Sequence, residues 1–136
     1  MNVIVCLDDK NGMMFNRRRQ SRDRLLCRRV AELTKDTKLH MNQYSAGLFD
    51  PAVVPHASVS EVFLSEAADG EYCFVENEAL APYEAKMEAL IVFRWNKTYP
   101  ADTWLDLDLE NVWKLVETED FPGHSHDVIT METYKR

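Results

Sequence analysis

No stretch of this chain approaches the roughly 18 consecutive apolar residues that a membrane-spanning helix needs. The opening MNVIVCLDD lacks the basic flank and long apolar region of a secretory leader. A cytoplasmic location without a membrane partner is therefore expected. Cysteines number three, Cys6, Cys27 and Cys73, far apart and with no Cys-x-x-Cys pair. Each lies in an apolar stretch, a pattern that fits reduced, buried thiols better than a disulfide or zinc framework. Histidines number four, and two of them share the stretch PGHSHDV, as His124 and His126 beside Asp127. Zinc needs three or four protein ligands, and His40 and His56 stand elsewhere without ligand spacing. PGHSHDV therefore reads as a polar turn leading into the last strand, and no metal is expected. There is also no internal repeat or low-complexity tract.

What is present is the material of one soluble globular domain. A chain of 136 residues with 46% hydrophobic and 29% charged residues can build one core without staples. Its net charge of −7 hides an asymmetry. Residues 1–40 carry ten Lys/Arg against five Asp/Glu, and the remainder carries six against eighteen. Seven of the basic residues are arginines between Arg17 and Arg29. Such a cluster suits a phosphate or carboxylate ligand, although a solvated helix face has the same composition. The acidic remainder argues against a nucleic-acid partner.

Periodicity marks the elements. NVIVCL is a continuous apolar, β-branched run ended by DDKNG, as a buried strand meeting a turn would be. MMFNRRRQ reads as a polar loop. Ser21 is placed to cap a helix, SRDRLLCRRVAELTKD, with Asp23 in its first turn and Leu26, Val30 and Leu33 as its buried stripe. KLHMN is a short strand, YSAGLF a helical turn, and FDPAVVPHAS a connection. A second helix is expected from Ser58 or Ser60 through Ala68. EYCFVE and EALIVFRW are further buried strands, separated by a short helix interrupted near Pro82. VWKLVETEDF and HDVITMETYKR alternate as half-buried strands joined across Pro-Gly. In WLDLDLE, Asp106 and Asp108 point off one face of an extended segment, as solvated edge charges. The order predicts an α/β domain of three layers, with a mainly parallel central sheet and an antiparallel C-terminal hairpin.

These residues resemble a known family. NVIVCLDDKNGM is similar to the first strand and Asn-Gly turn of dihydrofolate reductase. SRDRLLCRRVAELTKDTKLHMNQYS resembles its substrate-side helix, next strand and cofactor-phosphate helix start. KMEALIVFRWNKTYPADTWLDLDLE and the closing hairpin resemble its C-terminal third. The resemblance implies an abbreviated dihydrofolate reductase-like domain over residues 1–136. FNRRRQSRD, YCFVENE, FRWN and YPAD also resemble a set of short bacterial proteins that often carry the label ribonuclease Z. The ribonuclease Z signature His-x-His-x-Asp-His is not matched, because Asp127 comes one place early and the last histidine is missing.

The reductase resemblance implies a site between Asp23, the NGMMF loop with Gly12 and Met13, then Asn16 and Arg17, Gln43 and Ser45, and the strand end at Glu76 and Asn77. Asp23 falls where the family has the acidic residue that binds a pterin and assists its protonation. Ser45 falls at the hydroxyl that meets cofactor phosphate, with Gln43 in place of a basic neighbour. NADPH is the cofactor the resemblance implies. Three departures qualify it. The family's glycine pair is replaced by ENEA at 76–79. Met14 and RRRQS stand where a second glycine and Leu-Pro-Trp are usual. Only eight residues separate Phe49 from Ser58, where the family has a far longer segment. The expectation is a small-ligand protein, nucleotide- or pterin-type, with reductase activity open. A non-catalytic protein-interaction module is the alternative, and zinc-dependent tRNA processing is disfavoured.

Overall fold

A computed structural model describes the whole chain, Met1–Arg136, as a twisted sheet with structure on both faces. The strands are β1 (Asn2–Leu7), β2 (Gly12–Phe15), β3 (Arg18–Arg19), β4 (Leu39–Met41), β5 (Ala57–Val59), β6 (Tyr72–Phe74), β7 (Ala89–Arg94), β8 (Thr103–Trp104), β9 (Lys114–Phe121) and β10 (Ile129–Lys135). The helices are α1 (Arg24–Thr34), α2 (Gln43–Ala46) and α3 (Phe63–Glu66), with a 3₁₀ turn over Ala81–Lys86. Seven strands form the main sheet in the order β5-β4-β6-β1-β7-β10-β9. Pairing is parallel from β5 to β7, and β10 and β9 add as an antiparallel hairpin. The mainly parallel sheet and antiparallel end are those read from the sequence.

Strand β1 explains the layering. Side chains alternate across a strand, so Val3, Val5 and Leu7 enter one core with Phe63, Leu80, Met87 and Trp113. Ile4 enters the other, with Leu26 and Val30 of α1, Phe49, Phe74 and Phe93. Phe49 and Phe74 meet edge to face at 5.0 Å. No helix is long and apolar enough to cross a membrane. The Cys27 thiol is pushed up to about 11 and that of Cys73 to about 12, in both cases by burial.

Several expectations need correction. MMFNRRRQ is not a loop: β2 and β3 form a hairpin, and with β8 a small second sheet. Its two-residue turn places Asn16 at φ 51° and Arg17 at φ 59°, the left-handed backbone that tight hairpins demand. The cap of α1 is Asp23, not Ser21. The buried stripe is Leu26, Val30, Ala31 and Thr34, with Leu33 only half-buried. The helix expected from 58 or 60 to 68 shrinks to α3, because Ala57–Val59 pairs with β4 as an edge strand. Pro82 begins the 3₁₀ turn rather than interrupting a helix. β9 is exposed throughout except Phe121. Asp106 and Asp108 are bound locally. Asp106 accepts the N–H groups of Leu80 and Ala81, and Asp108 those of Glu110 and Asn111.

Candidate ligand-binding site

Asp23 is the best-connected polar residue near the start of α1. Its Oδ1 accepts the N–H groups of Leu25 at 2.9 Å and Leu26 at 3.3 Å, which caps the helix. Its Oδ2 accepts the N–H groups of His124 and Ser125, both at 2.9 Å, and faces His126 Nδ1 at 2.9 Å. One carboxylate thus joins a helix start to a loop about a hundred residues later. Burial alone would raise its affinity for a proton. The N–H groups of His124, Ser125 and Leu26 and the His126 ring outweigh burial and hold the carboxyl well below the usual range. A pterin partner would need a carboxyl with free valences, and those of Asp23 are taken.

Gly123 permits this closeness. A Cβ there would lie 2.6 Å from the His126 carbonyl oxygen and 2.8 Å from Asp23 Oδ2. Both are held in place, so Gly123→Ala is expected to cost about 1–3 kcal/mol through overpacking. Urea denaturation would measure it, and a wild-type midpoint would contradict the geometry.

The loop's other contacts complete the cluster. His126 is buried and stacks on Trp95 with centroids 4.6 Å apart. Its Nε2 lies 3.0 Å from Ser21 Oγ and 3.3 Å from Tyr99 Oη. His124 is exposed, and its Nε2 accepts from Arg24 Nη2 at 2.8 Å. His40 faces Glu71 and His56 faces Thr34.

Beside this cluster, and sharing Asp23, His124 and Ser125 with it, lies a cavity of about 460 Å³ between α1 and the segment 48–53. Arg22, Arg24, Arg28 and His124 supply its cationic and polar wall, Cys27, Leu48 and Val53 its apolar wall, and Asp23, Asp50 and Ser125 the rest. The three arginines make no ion pair, whereas Arg19 and Arg29 are paired with Glu76 and Glu119. Deeper in, beneath Asp23, the recess bounded by Cys6, Met13, Leu26, Val75 and Trp95 has only about 10 Å³ of open space.

The remaining predicted residues fall into two groups. Ser45 and Glu76 meet, but on each other: Ser45 Oγ donates to Glu76 Oε1 at 2.8 Å. Arg19 grips the same carboxylate through Nε at 2.8 Å and Nη2 at 3.1 Å. The cap of α2 is Asn42, whose Oδ1 accepts from Ser45 N–H, while its Nδ2 donates to Asn77 Oδ1. Gln43 is exposed, and its N–H donates to Glu61. Met13 packs in the core, and Gly12 closes a turn on Asp8 Oδ1 at 2.7 Å. Asn16 N–H donates to Asp102. Arg17 lines an open cleft with Met14, Asn77, Asp102 and Thr103, apart from the arginine cavity. The implied single site is thus divided between two places. The sequence marks the arginines at 22, 24 and 28 only as part of a basic cluster. Nothing local marks Ser21, Trp95 and Tyr99, whose contacts with His126 are made across long sequence distances.

A search of solved structures places the chain. It superposes on a dihydrofolate reductase from Enterococcus faecalis complexed with NADP(H) and RAB-propyl, with a TM-score of 0.69. The match covers 99% of this chain and 95% of that one, at 13% sequence identity. The fold is that of dihydrofolate reductase. No protein-family model matches the sequence, and no curated protein matches it either.

The dihydrofolate reductase fold raises the question of a nicotinamide dinucleotide. The residues at the implied positions do not fit one. The Ser45 hydroxyl is buried and given to Glu76, and the carboxylate of Glu76 replaces a glycine where a pyrophosphate would need close backbone approach. Asn77 is closed onto Asn42.

Proposed function

We propose that this chain binds a small anionic ligand, of the nucleotide or pterin-conjugate kind, in the cavity between α1 and the segment 48–53. The observation that carries this reading is the set of three arginines, Arg22, Arg24 and Arg28, left without carboxylate partners around one cavity. All three are solvent-exposed and border the same cavity, and guanidinium groups suit phosphate and carboxylate oxygens. A volume of about 460 Å³ lies within the usual range for small-molecule sites. The apolar wall of Leu48 and Val53 suits a flat ring, and the closed recess beneath Asp23 keeps that ring in the outer cavity.

The test is thermal stability with folate, nucleoside monophosphates and NADPH at millimolar concentration. A ligand present at 100 times its Kd stabilises by about 2.7 kcal/mol. Arg28→Ala should weaken binding about tenfold, equivalent to about 1.4 kcal/mol, and added salt should weaken it further. Absence of any shift with all three compound classes would end the proposal.

A further inference from the structure

Outside any binding role, Ser21, His126 and Asp23 stand in a line. Asp23 Oδ2 faces His126 Nδ1 at 2.9 Å, and His126 Nε2 faces Ser21 Oγ at 3.0 Å. These distances lie within the 2.6–3.2 Å reach expected of a nucleophile, its base and the group that orients the base. An ionised Asp23 accepts only, so Nδ1 carries a proton, and in the neutral imidazole Nε2 then presents a lone pair to Ser21. The N–H groups of Leu25, Leu26, His124 and Ser125 fix the carboxylate. Trp95 stacks on the ring and restricts its rotation. The ring is therefore held, and only Tyr99 Oη at 3.3 Å shares Nε2 with the serine.

Two further features distinguish this from a polar anchor. Ser21 is only half-buried, so its hydroxyl is within reach of a ligand. The backbone N–H groups of Ser21 and Arg22, next to this hydroxyl in the chain, donate to nothing in the protein. The recess beside Ser21 shares Arg22, Asp23, Cys27 and Leu48 with the arginine cavity. A ligand in the arginine cavity would share these wall residues with the serine's recess, which itself has only about 10 Å³ of open space.

We propose that Ser21 is a nucleophile, His126 its general base and Asp23 the orienting carboxylate, acting on carboxylic esters with an anionic group. Ser21 Oγ bonds to the acyl carbon as its proton passes to His126 Nε2. The ester C–O bond breaks, and the leaving oxygen takes that proton from His126. Water, deprotonated by the same imidazole, then releases the acid and restores the serine. No redox partner is needed. The anionic character of the ester rests on the binding reading given above; the nucleophile does not.

The experiment therefore has two arms. In the first, the whole protein is treated with a neutral fluorophosphonate, and the modified residue is located by mass spectrometry of its peptides. Labelling near one equivalent on Ser21 is expected, lost in Ser21→Ala and at least tenfold slower in His126→Gln. Ser21→Ala removes one half-exposed hydroxyl and keeps the inference testable should His126→Gln fail to fold. No adduct, an adduct elsewhere, or a rate unchanged in folded His126→Gln overturns it. In the second arm, p-nitrophenyl acetate is compared with the p-nitrophenyl monoester of succinic acid. Preference for the anionic ester, reduced by Arg28→Ala, supports the arginine cavity as its seat. Labelling of Ser21 without that preference retains the nucleophile and overturns the anionic substrate.

Discussion

Asp23→Ala is expected to cost about 4 kcal/mol of folding stability, near the top of the range for single substitutions. Loss of the helix cap alone costs about 1 kcal/mol. The larger part comes from the loop at 122–126, whose N–H groups at His124 and Ser125 lose their acceptor. Each unsatisfied buried donor costs about 1–3 kcal/mol, less where water can enter. For a chain of this size the melting temperature should fall by about 15 °C. Calorimetry would measure this, and a fall of only a few degrees would mean that water satisfies the loop.

The same contacts predict a pH dependence. The folded carboxyl of Asp23 titrates below its unfolded value of about 3.9. Its contribution is therefore fully present above about pH 4 and is lost as pH falls through the folded value. Asp8 adds in the same direction. Against the upward push of burial, the N–H groups of Gly12, Lys10 and Tyr99 and the side chain of Gln20 hold its carboxyl down. Asp23→Asn should flatten the acid limb of urea midpoints measured from pH 7 to pH 2, leaving the portion due to Asp8 and to the other depressed carboxyls, Glu71, Glu88 and Asp108. Parallel acid limbs would refute the assignment.

Arg19→Met is expected to destabilise by about 3 kcal/mol, because it strands a carboxylate in the interior. Glu76 is only 8% exposed and has Ser45 as its other side-chain donor. The guanidinium also lies 4.5 Å over the Tyr44 ring, a contact the methionine would keep only as packing. The reverse change, Glu76→Met, should cost less, since Arg19 is 20% exposed and can turn to water. The double variant should recover most of the loss, leaving an unpaired Ser45 hydroxyl worth about 1 kcal/mol. A double variant no better than Arg19→Met would show that the pair is not coupled.

The contrast between these groups explains what could be read from residues alone. β1, β6, β7 and α1 announce themselves by periodicity, since burial on one or both faces imposes a repeat on adjacent positions. β2 and β3 do not. Their turn uses Asn16 and Arg17 in left-handed backbone, where Asn-Gly is the usual signal, and the arginines hide the alternation. Ser58 and Ser60 look like helix caps, yet pairing of Ala57–Val59 with β4 takes precedence over that local preference. Ser60 instead binds Val62 N–H and Glu66 within its own turn. Asp23 was recognisable as important, but its partners were not, for His124, Ser125 and His126 reach it only through the fold. Ser45 and Glu76 were each singled out and do meet; their mutual contact, and the arginine that closes it, were invisible.

The position of β1 at the centre of the sheet has a further consequence during synthesis. Its two partners are Tyr72–Phe74 and Ala89–Arg94, so the segment NVIVCL leaves the ribosome long before either exists. At about 5–20 residues per second that interval is on the order of 3–17 s. A β-branched hexapeptide without charge or proline is the kind of segment that pairs with copies of itself. Asp8, Asp9 and Lys10 follow it immediately, and charges at that place act as gatekeepers against such association. The turn that ends the strand in the finished protein thus also protects the nascent one.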